Sequence, residues 1–163
     1  MNAIVCVDKN RGIGKDGKLL YHNKKDMEFF KETTTGKVVV MGRNTFLSLP
    51  HQQPLKDRIN IVLTHDNNFV PSGALVARSI EELFEITKKY STDDIFVIGG
   101  ASVYEQLLPY CDTVYMTIID TEPKEADTFF PREFPWVVDK AWVIYYKDDD
   151  DILIMKITRK EDE

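Results

Sequence analysis

Up to residue 108, short apolar and β-branched segments alternate with segments whose apolar positions recur at helical spacing. Strands separated by helices are typical of βαβ units, in which a parallel sheet is buried on both faces. Ser79 is the expected N-cap of one helix, because Glu82 follows three residues later as in a capping box. The predicted strands are AIVCV, KVVVM, INIVLT, ALVA and DIFVIGG. The predicted helices cover residues 24–34, 44–49, 79–90 and 101–108.

Beyond Pro109 the pattern changes to strands alone, TVYMTIID, WVIYY and ILIMKITR. The last two are separated by KDDDD, predicted as a solvent-exposed hairpin turn, because a Ca²⁺ loop needs acids on alternate positions and a glycine. The predicted fold class is α/β: a mostly parallel twisted sheet of about eight strands, about four flanking helices and a C-terminal antiparallel hairpin. The whole chain, residues 1–163, is predicted as a single domain.

The composition, 43% apolar and 29% charged residues, is ordinary for a soluble globular protein. The net charge is −6 and the lysines and arginines are scattered, which argues against a nucleic-acid partner. No segment has the length of a membrane span or the pattern of a signal peptide, so a cytoplasmic location is expected. The two cysteines, Cys6 and Cys111, are predicted to be buried thiols rather than a disulfide pair.

Two strand ends carry glycine and lead directly into a helix. In KVVVMGRNTF the strand ends at Gly42 and a helix starts near Asn44, so free backbone N–H groups lie beside the Arg43 guanidinium. In FVIGGASVYE the same arrangement follows Gly99 and Gly100. One such turn is often only a turn, but two at the carboxyl ends of a small parallel sheet predict a dinucleotide site. The Rossmann fingerprint G-x-G-x-x-G is absent.

The stretch YHNKKDMEFF places Asp26 at the start of a helix whose apolar positions are Met27, Phe30 and Phe29. One interpretation is a helix-terminal acid that binds free backbone N–H groups and complements the helix dipole. The other is a carboxylate held in an apolar pocket, where it binds a cationic or amidine-like ligand or helps to move a proton. Both interpretations are open on this stretch alone.

Seven motifs follow one another along the chain: NRGIGKDGKL, KKDMEFFKETT, VVVMGRNTF, INIVLT, VIGGASVYEQLLP, VYMTIID and DTFFP. In this order and spacing they resemble the dihydrofolate reductases over nearly the whole chain. The resemblance implies hydride transfer from NADPH to 7,8-dihydrofolate, giving 5,6,7,8-tetrahydrofolate. It also implies dihydrofolate and antifolate inhibitors as small-molecule partners and a monomeric state. No metal, membrane or nucleic-acid partner is expected.

The resemblance further implies roles for individual residues. Asp26 is expected in the pterin pocket, bonded to the ring's amino group and N3 and supporting protonation at N5. Arg58 is expected to bind the α-carboxylate of the glutamate tail, and the 9–23 loop to close over the nicotinamide. The implied catalytic residues are Asp26, Tyr21 and Thr117, whose hydroxyl supports the acid. The implied substrate-binding residues are Ile4, Val5, Cys6, Leu19, Asp26, Met27, Phe30, Leu49, Leu55, Arg58, Ile98, Tyr104 and Thr117. The implied cofactor-binding residues are Cys6, Ile13, Gly14, Gly42, Arg43, Asn44, Thr45, Leu63, Thr64, His65, Arg78, Ile98, Gly99, Gly100, Ala101, Ser102, Val103 and Tyr104, with Arg43, Thr64 and His65 at the 2′-phosphate.

One segment departs from the family pattern. Leu19, Leu20 and Tyr21 stand where the family usually has Leu or Met, then Pro, then Trp, and Lys24 stands where a second proline is usual. Losing both prolines is expected to loosen the loop. Tyr21 keeps an aromatic ring but moves its polar atom. We therefore predict an active enzyme with an altered substrate pocket and weaker binding of diaminopyrimidine antifolates.

Two alternatives remain open from the sequence. The first is a reductase of the same fold that acts on a pyrimidine of riboflavin synthesis, where Asp26, Phe30 and Arg58 are not expected. The second is a non-catalytic NADPH-binding relative whose unusual loop has lost the chemistry. Trials of both substrates with NADPH separate the two reductases, and cofactor binding without turnover indicates the non-catalytic relative.

Overall fold

The backbone alternates strands and helices and then continues with strands alone, as the apolar pattern predicts. The computed structural model describes residues 1–147 and 151–161. In these ranges the helices are α1 (Lys24–Thr34), α2 (Arg43–Ser48), α3 (Ile80–Thr87) and α4 (Ala101–Leu107). The strands are β1 (Asn2–Asp8), β2 (Gly12–Lys15), β3 (Lys18–Leu19), β4 (Val38–Gly42), β5 (Ile59–Leu63), β6 (Leu75–Ala77), β7 (Ile95–Gly99), β8 (Thr113–Ile119), β9 (Thr128–Phe129), β10 (Val138–Lys147) and β11 (Ile152–Arg159).

The main sheet has eight strands within the described ranges, in the order β10-β11-β8-β1-β7-β4-β5-β6. Every pairing from β8 to β6 is parallel, whereas β11 runs antiparallel to both β8 and β10. The predicted α/β class, with a mostly parallel sheet and a C-terminal antiparallel hairpin, is confirmed. This order places the carboxyl ends of β1, β4 and β7 side by side at one edge.

The central strands β4 and β7 are apolar along their whole length, as expected where both faces of a sheet are covered. On one face, Ile4 of β1 packs in a cluster with Val39, Met41 and Phe46. Its chain neighbour Val5 packs in the larger cluster on the other face. Successive residues of a strand point to opposite faces of the sheet, so the side chains of β1 contribute to two separate core clusters.

The helices match the predicted positions with small shifts at their ends. α1 spans the predicted residues, and α2 begins one residue earlier than predicted. Ser79 caps α3 as predicted, since its hydroxyl accepts a hydrogen bond from the Glu82 N–H at 3.1 Å. α3 ends at Thr87, three residues before the predicted end. There the Tyr90 N–H donates a hydrogen bond to the Thr87 carbonyl at 2.9 Å. The Tyr90 side chain packs against the larger core cluster.

Strands β2 and β3 of the 9–23 loop join β9 in a second, three-stranded sheet in the order β3-β2-β9, which the apolar pattern does not predict. Lys15 of β2 pairs with Lys18 of β3 across a two-residue turn of Asp16 and Gly17, both with positive φ. Asp-Gly is a strong signal for this hairpin turn, but the flanking strands are too short to show alternation.

The C-terminal strands β10 and β11 pair antiparallel, as predicted. Of the acidic turn between them, residues 148–150 lie outside the described ranges, so the predicted solvent-exposed turn stays a prediction. None of the described helices combines the length and the hydropathy needed to cross a membrane.

Candidate active site

Asp26 lies in the first turn of α1, but Asn23 caps this helix. The Asn23 side-chain oxygen accepts a hydrogen bond from the Asp26 N–H at 2.9 Å. An N-cap of this kind satisfies one of the free donors of a helix start and contributes about 1 kcal/mol. Asn23 therefore binds the free N–H group at the start of α1, the role that one interpretation of the sequence gave to Asp26.

The Asp26 carboxylate instead faces the sheet, where Thr117 and Cys6 donate hydrogen bonds to it. Cys6 of β1 and Thr117 of β8 are direct partners in the parallel register, so their side chains lie next to each other on one face. Burial raises the pKa of Asp26 above its ordinary value, and the two hydrogen bonds hold back part of that rise. The result is a half-buried carboxyl group that keeps its proton to higher pH than a surface aspartate.

Cys6 is a free thiol, and its environment keeps it protonated. Burial raises the pKa of Cys6, and the neighbouring Asp26 carboxylate raises it further. The protonated thiol is a hydrogen-bond donor rather than a nucleophile. Cys111 is the other free thiol, buried on a different part of the fold, and burial raises its pKa to about 12.

An apolar wall lies on the Asp26 side of the sheet. The partly buried residues Phe30, Leu49, Leu55 and Ile98 pack against the cluster that contains Ile4. These five predicted substrate-binding residues therefore come together.

Three other predicted substrate residues lie apart from this apolar wall. The Met27 side chain is 55% exposed, and Leu19 is 64% exposed on the loop. The Val5 side chain belongs to the opposite face, so the structure does not bring it to the wall.

Arg58 lies at the outer end of the wall. Its guanidinium carbon is 5.9 Å from the centre of the Phe30 ring, and its Nη1 donates to the Thr34 hydroxyl at 3.2 Å. A second donor, Nε, bonds the Lys56 carbonyl at 2.9 Å. Burial lowers the pKa of Arg58, opposed by the neighbouring Asp57. These two hydrogen bonds fix the side chain but use only two of the five N–H donors of the guanidinium. The other donors can bind a carboxylate.

The two glycine turns are neighbours in space. β4 and β7 pair in parallel, with Met41 opposite Gly99, and a Cβ placed on Gly42 would lie 3.9 Å from both the Gly99 carbonyl oxygen and the Gly100 nitrogen. A Cβ on Gly100 would lie 3.4 Å from the Thr45 hydroxyl. Neither α2 nor α4 has a side-chain cap, so the N–H groups of both helix starts open onto one narrow cradle.

A loop beyond β5 brings the predicted 2′-phosphate residues into one region. Arg43 Nε lies 3.4 Å from Asp66 Oδ2, and the Thr64 hydroxyl accepts from the Asp66 N–H at 3.2 Å. His65 is exposed on the same loop. Arg78 donates to the Asp66 carbonyl and, at 2.9 Å, to the Phe69 carbonyl, so it also holds the loop in shape.

Tyr104 joins the two halves of the site. Its ring is 4% exposed and its hydroxyl donates to the Ile4 carbonyl at 2.7 Å. A Cβ on Gly99 would approach the Tyr104 ring to 3.4 Å. Burial raises the pKa of Tyr104, which keeps the phenol neutral. Tyr104 therefore ties β1 to the start of α4, between the carboxyl group and the glycine cradle.

Comparisons with known proteins agree with this geometry. The family profile described as dihydrofolate reductase matches residues 1–151. The chain belongs to the dihydrofolate reductase family. The dihydrofolate reductase of Bacillus subtilis is 41% identical over 132 residues, which are 81% of this chain and 76% of that protein. The dihydrofolate reductase of Staphylococcus haemolyticus is 38% identical over 131 residues, 80% of this chain and 76% of that protein.

A solved structure gives the same result for the fold. The dihydrofolate reductase from Enterococcus faecalis complexed with NADP(H) and RAB-propyl superposes with a TM-score of 0.82 and 35% sequence identity. The match covers 98% of this chain and 96% of that one. The predicted family, fold class and enzyme class, a dihydrofolate reductase and hence an oxidoreductase, are confirmed.

Within this dihydrofolate reductase fold, three contact residues were missed by sequence reasoning. Asn23 stands three residues before Asp26, which is the spacing of an N-cap and was a usable signal. Asp8 ends the strand β1 at the carboxyl edge of the sheet, where polar side chains often serve a site. Lys124 bonds Tyr21 and Leu20 from a loop more than a hundred positions away, and no local pattern indicates such a contact.

Proposed function

We propose that this chain catalyses the NADPH-dependent reduction of 7,8-dihydrofolate to 5,6,7,8-tetrahydrofolate, with Asp26 as the residue that binds the pterin and supports protonation at N5. The observation that carries the residue assignment is the half-buried Asp26 carboxyl group, which receives hydrogen bonds from Thr117 and Cys6. It lies on the face of the sheet that carries the apolar wall, and Tyr104 connects this region to the glycine cradle.

Asp26 fits the pterin because its two oxygens match the amino group and N3 of the ring as hydrogen-bond acceptors. Burial favours the protonated acid and is the larger effect, whereas the hydrogen bonds from Thr117 and Cys6 favour the carboxylate, so the pKa of Asp26 is raised above its ordinary value. A carboxyl group whose pKa is raised by burial keeps its proton to higher pH than an exposed aspartate and is better suited to proton transfer. Asp26 therefore supports protonation at N5 while it orients the ring.

NADPH is the cofactor, and it supplies the hydride when bound. The cradle fits a dinucleotide, because a side chain on Gly99 or Gly100 would fill the approach next to Thr45 and Tyr104. The free N–H groups of α2 and α4 suit phosphates. Arg43, Thr64 and His65 support a preference for the 2′-phosphate of NADPH over NADH. The predicted cofactor residues Leu63, Ala101, Ser102 and Val103 belong to the same strand and helix ends.

The apolar wall takes the aromatic part of the substrate beyond the pterin, and Arg58 binds the α-carboxylate at its outer end. An apolar groove that ends in a single fixed arginine distinguishes a folate from a free pterin or pyrimidine. The predicted cofactor residues Ile13 and Gly14 lie on β2 of the 9–23 loop, which the family resemblance implies closes over the nicotinamide. The catalytic assignment of Tyr21 stays a prediction.

We further propose a cytoplasmic location and a monomeric state. The free thiols of Cys6 and Cys111 support a reducing compartment. The monomer is an implication of the family resemblance.

The test is the rate of NADPH oxidation in the presence of dihydrofolate, measured for the wild type, Asp26→Asn and the control Glu28→Gln. Glu28 is an exposed acid on the same helix. We expect turnover by the wild type and by Glu28→Gln, and a loss of about 10²-fold or more in Asp26→Asn. A folded wild type that binds NADPH but oxidises none of it would overturn the proposal, as would full activity in Asp26→Asn.

The predicted weakness toward diaminopyrimidine antifolates is tested separately. Inhibition constants are compared between the wild type and Tyr21→Trp, which restores the ring that the family usually has. Tighter inhibition of the variant is expected, and equal constants would contradict the prediction.

A further inference from the structure

Asp8 is a buried carboxylate at the carboxyl end of β1 that the proposed reaction does not use. Its side chain is 2% exposed. One oxygen, Oδ1, accepts hydrogen bonds from the N–H groups of Asn10 and Gly12, both at 2.9 Å. The other oxygen, Oδ2, accepts from the Tyr21 hydroxyl at 2.6 Å. Asp8 therefore binds both the beginning and the end of the 9–23 loop.

The Tyr21 phenol is held from two sides. Its O–H donates to Asp8 Oδ2, and its oxygen accepts a hydrogen bond from the Lys124 N–H at 3.2 Å. The Lys124 ammonium lies 5.1 Å from the centre of the Tyr21 ring and donates to the Leu20 carbonyl at 3.1 Å. A phenol that uses both its donor and an acceptor position in this way has a fixed orientation. Its hydroxyl is directed at Asp8 rather than at Asp26.

The Tyr21 ring packs against the same apolar cluster as Cys6, while its hydroxyl binds Asp8. The ring packs against the cluster of Ile119, Ile152 and Ile154, together with Cys6 and Phe29. Cys6 in turn donates to Asp26. Tyr21 also precedes Asn23, the cap of the helix that carries Asp26, by only two positions. Tyr21 therefore lies directly before the start of α1.

We propose that Asp8 is a positioning residue that acts through Tyr21. It holds the end of the 9–23 loop and the aromatic ring at the edge of the pterin pocket. In this chain the hydroxyl of Tyr21 forms the contact, so the unusual tyrosine is coupled to Asp8 and to Lys124. The expected effect on substrate kinetics rests on the proposed function, whereas the hydrogen bond between Asp8 and Tyr21 does not depend on it.

The Tyr21–Asp8 hydrogen bond can be removed without unfolding the 9–23 loop, because other contacts hold the tip of the loop. The Asp16 N–H donates to Asp127 Oδ2 at 2.9 Å, and β2 pairs with β9. Tyr21→Phe deletes only the hydroxyl and fills the same space. Asp8→Asn keeps an oxygen for the backbone donors but replaces the charged acceptor of the phenol. Tyr146→Phe is the matched control, since Tyr146 is an exposed tyrosine on β10.

The first readout is hydrogen exchange of the backbone amides in the protein without ligands, which needs no turnover. A hydrogen bond to a buried carboxylate is strong enough that we expect about tenfold faster exchange in residues 9–23 of Tyr21→Phe and of Asp8→Asn. Exchange in the central strand β4 and in Tyr146→Phe should equal that of the wild type. In the double variant, the amides of residues 9–23 should exchange no faster than in either single variant, because both substitutions remove the same contact.

The second readout separates positioning from general destabilisation. In Tyr21→Phe we expect the KM for dihydrofolate to rise about threefold to tenfold, by a larger factor than kcat falls, because the loss of the hydroxyl contact shifts the ring beside the substrate pocket. Unchanged loop exchange in Tyr21→Phe overturns the inference, and so do additive effects in the double variant. If Asp8→Asn does not fold, the Tyr21→Phe result decides alone. A wild type without turnover counts against the proposed function, while the exchange data still decide on the contact.

Discussion

Cys6 and Thr117 are partners across the parallel pairing of β1 and β8, and both donate a hydrogen bond to Asp26. The sheet register, rather than a local motif, gives the acid its two donors. Both donors favour the charged carboxylate and work against the effect of burial. This arrangement determines at which pH Asp26 changes its protonation state.

Removing either donor should raise the pKa of Asp26 further. In Cys6→Ala and in Thr117→Val the carboxylate loses one hydrogen bond while the site stays apolar. We expect the Asp26-dependent midpoint of the pH–rate profile to move to higher pH, and Cys6→Ser to restore it. Cys111→Ala is the control, because that thiol bonds the Leu107 carbonyl away from the acid. A midpoint that moves to lower pH would contradict the assignment of the donors.

Asp26→Asn should stabilise the folded protein at neutral pH although it reduces activity. The pKa of Asp26 is raised above its ordinary value of 3.8 in the fold. Below pH 3.8 the acid is protonated in both states and costs nothing. As the pH rises through the folded pKa, the ionised group favours the unfolded chain, so stability is lost. Asparagine has no charge to bury.

Chemical unfolding of the wild type and Asp26→Asn as a function of pH measures this difference. The advantage of Asp26→Asn should grow from about pH 4 upward. Asp127→Asn should show the opposite sign, because hydrogen bonds from the Asp16 N–H and from Thr128 lower the pKa of that exposed carboxyl group. The Asp127 carboxylate stabilises the fold above the pKa that it has in the unfolded chain, and this effect is lost as the pH falls through its lowered pKa in the folded protein. Equal pH dependence of both variants would count against the raised pKa of Asp26.

Gly99→Ala should weaken NADPH binding. Gly99 has φ +127, and its Cβ would lie 3.4 Å from the Tyr104 ring and 3.6 Å from the Thr45 hydroxyl, inside the cradle. Gly36→Ala is the matched control, because Gly36 also has positive φ, at +79, but a Cβ there meets nothing within 4 Å. Both variants should lose about 1 kcal/mol or more of stability from backbone strain.

Titration with NADPH separates the two glycines. The dissociation constant should rise at least tenfold in Gly99→Ala, because the added methyl group displaces the dinucleotide from the backbone. The constant for Gly36→Ala should stay at the wild-type value. If both variants bind NADPH normally, the cradle is not the cofactor site.

Arg58→Lys should raise the KM for dihydrofolate about tenfold, because lysine lacks the planar donor fork that binds a carboxylate through two hydrogen bonds. The turnover number should change little, since Arg58 lies at the outer end of the wall beside Phe30. A dihydropterin without the glutamate tail serves as an internal control. Its kinetics should be the same with wild type and variant, and a parallel loss for both substrates would exclude the assigned role.

The α/β order, the family and most of the fold follow from the sequence, because they depend on periodicities that neighbouring residues carry. Buried parallel strands are apolar along their length, and Ser79 with Glu82 marks a helix start within four residues. The short hairpin of β2 and β3 was missed, since two-residue strands have no period to detect. The end of α3 was misplaced because tertiary packing of Tyr90 decides it.

The sequence by itself determined that an acid stands beside an apolar stripe and that two strands end in glycine. Only the tertiary structure decided what surrounds them. Cys6 and Thr117 meet Asp26 through the pairing of two strands, and Val5 packs on the opposite face of the sheet. Hydrogen bonds and burial depend on distances in space, and Lys124 reaches Tyr21 across 103 positions of the chain. Such contacts leave no pattern in a single sequence because each residue type has many other uses.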